Sequence, residues 1–196
     1  MKKNTPLLII LGLVVILGFW GCGAYNGLVT ADQEVKTKWS NVETNYQRRM
    51  DLYNSVIKTI EGSANFEKST LKEVLEARSK ATQVTVNTDD PASLEKFQSA
   101  QAGLSGAFGR LLAVAEAYPD LKTTTAFRDF QTQIEGTENR INVARQDYNN
   151  SVKQYNLNVK TFPKNIFAGI FGFREKGFYQ ADQGSEKAPD INFDIK

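Results

Sequence analysis

Residues 28–60 read LVTADQEVKTKWSNVETNYQRRMDLYNSVIKTI, and the spacing of their apolar members decides the fold. Leu28, Val35, Trp39, Val42, Tyr46, Met50, Tyr53, Ile57 and Ile60 recur at helical intervals, which places them on one face of a helix. The stripe starts on a strict seven-residue repeat and slips by one between Val42 and Met50. A straight helix drifts by about 20° per heptad, so over four heptads the buried position moves by about one residue. That slip favours a bundle helix over a long coiled coil.

Three more helices are expected downstream. Gly62 and Asn65 mark a break after the first. A second helix runs from about Phe66, with Leu71, Val74, Leu75, Arg78 and Ala81 on one side, and dissolves in Thr85-Val86-Asn87-Thr88-Asp89. Asp90-Pro91 then supplies an acidic N-cap followed by proline at the first helical position. The third helix carries Leu94, Phe97, Leu104, Phe108, Leu111, Ala115 and Tyr118, with small residues over 100–109, and ends at Pro119. A fourth runs from about Thr124 to Phe162 through Phe127, Phe130, Ile134, Thr137, Ile141, Ala144, Tyr148, Val152, Tyr155 and Val159, until Pro163 stops it. No run of alternating apolar residues suggests a strand.

Upstream of the stripe, residues 7–20 read LLIILGLVVILGFW, and no charge falls between Lys3 and Asp32. A membrane-spanning helix needs about 20 predominantly apolar residues, which residues 7–25 supply. The anchor is expected on Leu7, Leu8, Ile9, Ile10, Leu11, Val14, Val15, Ile16, Leu17 and Trp20, with Trp20 and Tyr25 at headgroup level. Lys2 and Lys3 precede the run and Asp32 and Glu34 follow it, so the positive-inside rule puts the N-terminus in the cytoplasm and the bulk of the chain outside. Two rival readings share these residues. A signal peptide would be cleaved near Gly21-Cys22-Gly23; a lipoprotein would carry lipid on Cys22 and leave the same domain on the same side. Asn26-Gly27 is turn-prone and a candidate bend where the helix leaves the membrane.

The expected architecture is therefore all-α: an N-terminal transmembrane helix, then an antiparallel four-helix bundle whose first and fourth helices are long. At 1.5 Å per residue these reach about 55–60 Å, and the second and third about 30–40 Å. Short connections make neighbours antiparallel, so the short pair should pack on the distal part of the long pair. The fourth helix then returns the full distance and leaves the segment after Phe162 beside the membrane. The chain divides into an anchor (1–25), a bundle (26–162), an amphipathic aromatic segment (163–181) and a polar tail (182–196).

Composition removes several kinds of function. Lysine plus arginine number 24 against 22 aspartate plus glutamate, too balanced for a nucleic-acid binder. There is no histidine, which excludes Ser-His-Asp and Cys-His catalysis and histidine metal sites. The single cysteine cannot form an intrachain disulfide. No cofactor is expected and the chain reads as a non-enzyme, the contrasting class being a hydrolase built on carboxylates alone. The polar residues worth following are Arg48, Arg49, Asp51, Arg78, Glu116, Glu138, Arg140 and Arg145. Arg49 and Arg78 fall on apolar stripes, where an unpaired charge costs several kcal/mol, so inter-helix ion pairs that fix register are expected, the alternative for the cluster being a partner-binding surface. In the segment after the fourth helix, Phe162, Ile166, Phe167, Ile170, Phe171 and Phe173 stand among Lys164, Arg174 and Lys176. Such a stretch serves either as a cap on the bundle's base or as an interfacial membrane element.

Taken together these residues resemble the LemA family of bacterial membrane proteins. The resemblance rests on Tyr25-Asn26 with Leu28-Val29, on Trp39 with Val42-Glu43, on Tyr46-Gln47-Arg48-Arg49 with Asp51-Leu52, and on Glu67-Lys68, Thr70-Leu71, Val74 and Glu76-Ala77-Arg78. It continues through Leu104-Ser105-Gly106-Ala107, Glu116-Ala117-Tyr118-Pro119-Asp120-Leu121-Lys122 and Glu135-Gly136-Thr137-Glu138-Asn139-Arg140-Ile141, then Ala144-Arg145, Tyr148-Asn149, Tyr155-Asn156, Phe162-Pro163 and Gly172-Phe173. Asn54 and Ser55 stand where the family usually has proline and asparagine, and Phe66 where it often has histidine. The resemblance implies an antiparallel helical domain behind one membrane helix, and no particular reaction. Family genes often neighbour membrane metalloproteases of the HtpX type, which implies an adaptor whose partners are the bilayer and such a protease or a second copy of itself.

Overall fold

The computed structural model describes residues 5–61, 68–119 and 123–180, with the side chains of residues 5–7 and 17, Leu7 and Leu17 among them, outside that description. Lys2, Lys3, the expected break at Gly62 and Asn65, the Phe66 start and the polar tail also lie outside it. Among the described residues five helices follow in order: α1 Thr5–Glu61, α2 Lys68–Thr82, α3 Pro91–Ala115, α4 Thr125–Lys160 and α5 Lys164–Phe171. The protein is all-α, and no strand occurs among the described residues.

One difference from expectation is that α1 does not divide. The helix runs through Asn26 and Gly27 without interruption, so the boundary drawn after residue 25 falls inside it. Both flanking segments favour helix independently, and Thr30 Oγ1 donates back to Asn26 O at 2.9 Å. A turn-prone dipeptide between two helices in register has no geometry of its own to impose. Among the described residues this is the one helix long and apolar enough to cross a membrane. The large apolar side chains described between Leu8 and Trp20, Leu17 lying outside the description, are exposed, whereas from Leu28 onward one stripe is buried.

That stripe packs against α4, which runs antiparallel to it. The membrane-proximal half of the core joins Val35, Trp39, Val42 and Tyr46 to Ile141, Ala144, Tyr148, Val152 and Tyr155. In the distal half Met50, Tyr53, Val56, Ile57 and Ile60 meet Phe127 and Phe130 of α4, Val74 and Ala81 of α2, and Leu104, Phe108 and Leu111 of α3. Tyr53 stacks on Phe108 with ring centroids 3.7 Å apart and planes 4° from parallel. The α2–α3 hairpin is not confined to the distal part as lengths alone suggested. Leu94 and Phe97 of α3 belong to the proximal core, and Phe97 lies edge-on to Trp39 at 5.4 Å. The turn and extended residues 83–90 make up the reach that a short α2 lacks.

Local chemistry sets the ends. Asp90 Oδ1 accepts from Ala92 N at 3.0 Å with Pro91 in the first turn, and Thr124 Oγ1 accepts from Phe127 N at 3.3 Å. The third helix stops at Ala115, a turn earlier than Pro119 implied. The short α5, beyond the four helices expected, ends at Gly172, whose φ of 76° is left-handed and whose neighbour Phe173 N bonds Ala168 O at 2.9 Å.

Removing the ring stacked on Tyr53 should destabilise the distal core directly. Phe108→Ala is expected to cost about 3–5 kcal/mol, whereas Val143→Ala, on an exposed face of α4, should stay within about 0.5 kcal/mol. Denaturant melts of the full chain in detergent measure both.

Candidate functional site

The base of the bundle is where α5 meets α1. Gly21 is buried beneath Phe167, and a Cβ there would lie 3.2 Å from the ring edge. Tyr25 meets the rings of Phe171 and Phe173 edge-on at 4.9 and 6.0 Å. These contacts set α5 level with the last turns of the apolar segment. The expected membrane-proximal residues then divide by direction. Phe167, Phe171 and Phe173 turn toward α1, while Ile166 (52% exposed) and Ile170 (70%), one turn apart on α5, face away, and Phe162 in the turn before α5 is 80% exposed. Nearby cations are already engaged: Lys160 pairs with Glu175 at 2.7 Å and Lys164 Nζ donates to Asn158 Oδ1 at 2.7 Å.

The stretch 163–181 is not one amphipathic piece. After Gly172 the chain becomes extended and runs away from the base along α4 as a strap, residues 173–180. Lys176, its side chain fully buried, pairs with Asp32 of α1 at 2.8 Å and with Asp89 of the α2–α3 turn. Its ammonium also lies 5.0 Å from the Tyr155 ring centre. Burial alone would raise the Asp32 carboxyl, but Lys176 and Lys36 beside it hold it below the usual carboxylate range. Burial, and then Asp89, pushes the Tyr148 phenol up to about 12, so this hydroxyl stays protonated and donates to Gly177 O at 3.1 Å. Tyr179 ends the strap with its hydroxyl 2.7 Å from that of Tyr46.

The eight polar residues singled out in the sequence do not form one site. Arg49, 2% exposed, spans three helices: Nη1 donates to Ser105 Oγ at 3.1 Å and to Glu138 Oε1 at 3.2 Å, and Nη2 to Gln101 Oε1 at 2.6 Å. Its guanidinium lies 4.6 Å from the Tyr46 ring centre, while Nε is buried with no partner among the described residues. Arg145 donates from Nε to Tyr46 Oη at 3.1 Å and covers the Tyr179 ring at 4.5 Å. Arg48, Asp51 and Arg140 line an open polar groove between α1 and α4 with Glu43 and Thr44. Glu116 is exposed at the end of α3. Arg78 requires a correction. It is only half-buried and has no ion pair among the described residues, because α2 presents a narrow seam of Val74 and Ala81 and leaves even Leu75 38% exposed.

Gln101, Lys176, Asp32, Asp89, Asn149 and Asn156 were missed. Only the asparagines carried a signal, as amides on the face of α4 that also bears Tyr148, Val152 and Tyr155. A shallow groove of about 910 Å³ between α2 and α3 is rimmed by Glu73, Glu95, Lys96 and Arg110, the last paired with Glu73. No group of three metal-ligating side chains gathers among the described residues.

These placements separate two arginines that the sequence treated alike. Arg49→Ala strands the buried Gln101 carbonyl and opens space between two rings, at a cost of about 2–4 kcal/mol. Glu138 is 41% exposed and returns to water at little cost. Arg78→Ala should change stability by less than about 1 kcal/mol; thermal melts of the full chain in detergent distinguish them.

Comparison with known proteins gives this arrangement a family. The magnetosome proteins MamQ 1 and MamQ 2 of Paramagnetospirillum magneticum are each 27% identical over 175 residues, covering 80% of this chain and 64% of theirs. The chain thus spans less than two thirds of the length of those relatives. Protein LemA of Metamycoplasma hominis is 25% identical over 183 residues, 93% of this chain and 80% of that protein. Residues 38–193, from the turn that holds Trp39 through the bundle and the strap, match the LemA family, and the chain belongs to that family.

Proposed function

We propose that the protein is a membrane-anchored helical scaffold that works by binding other proteins, its bundle held at a fixed height over the bilayer on the extracytoplasmic side. The observation that carries this reading is the continuity of α1. A single helix exposes the large apolar side chains described between Leu8 and Trp20, then becomes a core element of the bundle from Leu28. An exposed segment of that length has no stable place in water, since each large side chain buried is worth about 1.5–3 kcal/mol. A bilayer of about 30 Å accommodates it.

The exposed side of α5 supports the same placement. Ile166 and Ile170 of α5 lie level with Gly21 and Tyr25 and are exposed, as is Phe162 just before the helix, so lipid at the headgroup boundary is the environment that fits them. Scaffolding is supported by the use made of the polar side chains. Arg49, Arg145 and Lys176 are engaged in joining helices, strap and turn, while the faces that remain exposed are mixed-charge helix surfaces suited to protein contact. Candidate partners are a membrane protease, as the family's gene neighbourhoods imply, and a second copy of the chain.

The placement is tested on a Cys22→Ala, Ile170→Cys chain labelled with a polarity-sensitive dye in lipid vesicles. Quenchers carried on shallow lipid positions should quench the dye; absence of quenching in demonstrably inserted protein would detach α5 from the membrane. For the scaffold role, crosslinking in native membranes followed by mass spectrometry should return the same protein neighbours repeatedly. Recovery of lipid adducts alone would count against it.

A further inference from the structure

The strap is held in the way proteins hold a peptide. Two asparagines of α4 each grip one strap residue by both of its main-chain groups. Asn156 Nδ2 donates to Lys176 O and Asn156 Oδ1 accepts from Lys176 N, both at 2.9 Å. Asn149 treats Tyr179 identically, with both bonds at 2.8 Å. The registers agree: seven residues of helix advance about 10.5 Å, and three residues of extended chain about 10 Å. Paired amide contacts of this kind read an extended backbone whatever its side chains, as in strand-type peptide recognition.

Selectivity comes from what lies between and beside the asparagines. Lys176 enters a pocket closed by Asp32, Asp89 and the face of Tyr155. Gly177 passes Pro91 so closely that a Cβ would meet it at 3.3 Å. Phe178 faces outward, 47% exposed, and Tyr179 is 5% exposed, with Arg145 over its ring and Tyr46 at its hydroxyl. The seat therefore recognises lysine, then a residue without a side chain, then any residue, then tyrosine. Every recognition group belongs to α1, α4, the α2–α3 turn or the first residue of α3, and none requires the segment to be covalently joined to α5.

We propose that this seat is a peptide-binding site, filled in cis by residues 173–180, and that it takes extended segments carrying Lys-Gly-x-Tyr when the strap is lifted. A tethered occupant has an effective concentration on the order of millimolar, so the strap is a strong competitor and an outside segment enters only where the strap is weakened or outnumbered. Because Asp89 and Pro91 form one wall, exchange of the occupant also alters what holds the α2–α3 turn against α1.

The test uses the full-length chain in detergent and a fluorescent peptide of residues 173–180, FREKGFYQ. A Lys176→Ala, Tyr179→Ala chain, its strap weakened, should bind the peptide saturably and at least about tenfold more tightly than the wild-type chain, whose strap competes. A peptide carrying Lys176→Ala should bind the same chain at least about tenfold more weakly, as loss of a buried charge-assisted contact implies. A folded variant that fails to bind the peptide, or binds both peptides alike, overturns the proposal. Should the variant lose its helical signal, amide exchange on the wild-type chain decides instead. The Lys176 and Tyr179 amides should exchange at least about tenfold faster than the core amide of Tyr148, since a liftable strap opens below the global unfolding energy. Equal rates would make the strap an integral part of the fold and end the proposal.

Discussion

The structure depends on one helix meeting two environments without a break. Between Leu8 and Trp20 the described apolar side chains of α1 are exposed, and from Leu28 they narrow to a buried stripe. That narrowing orders the rest. A stripe running from Leu28 to Ile60 needs a partner of matching length, and α4, at 36 residues, is the helix that provides it. Because α4 returns antiparallel, its end falls where α1 leaves its apolar segment, and Gly21 leaves room there for Phe167. A Cβ at residue 21 would crowd the Phe167 ring at 3.2 Å and require the ring to shift.

The α2–α3 hairpin is attached by contacts of different kinds at three heights. Aromatic packing dominates in the distal core, where Tyr53, Phe108, Phe127 and Phe130 cluster. Midway, Arg49 reaches across to Gln101 and Ser105 of α3. Near the base Lys176 joins Asp89 to Asp32. By magnitude the packing supplies most of the stability, at about 1.5–3 kcal/mol per buried side chain. The two buried cations contribute direction more than energy, since desolvation offsets much of their attraction. A hairpin displaced by one helical turn would keep apolar contact but cost Arg49 its bonds to Gln101 and Ser105 and Lys176 its pairing with Asp89. Geometry of this kind selects one register among several that hydrophobic contact alone would tolerate.

Much of this was legible in residue order, and the part that was not has a physical reason. The stripes of α1 and α4, the Asp90-Pro91 start and the start of α4 near Thr124 are local patterns, each confined to a few turns of one helix. Arg49 was legible as a charge on a buried stripe, although Gln101 and Ser105 as its partners were not, because nothing local pairs α3 with α1 at that height. Arg78 was misread because α2 is short and peripheral, and a stripe five residues wide on such a helix is only partly covered. The strap was invisible. An eight-residue extended segment has no period, and its holders, Asn149, Asn156, Asp32 and Asp89, are scattered over three parts of the chain. Its glycine and its lysine each have ordinary uses elsewhere.

The absence of a joint in α1 has a mechanical consequence. A helix that leaves a membrane through a flexible turn decouples whatever stands above it, whereas α1 passes Asn26 and Gly27 as a continuous rod. From Leu28 to Ile60 that rod extends about 50 Å at 1.5 Å per residue. Transmembrane helices tilt by about 20° on average, a tilt that would carry the far end of the bundle sideways by about 17 Å. Changes in bilayer thickness, which helices accommodate by tilting, would therefore be magnified into lateral sweep at the distal end. In the proposed placement the bundle is the long arm of a lever whose fulcrum lies at α5 and Tyr25.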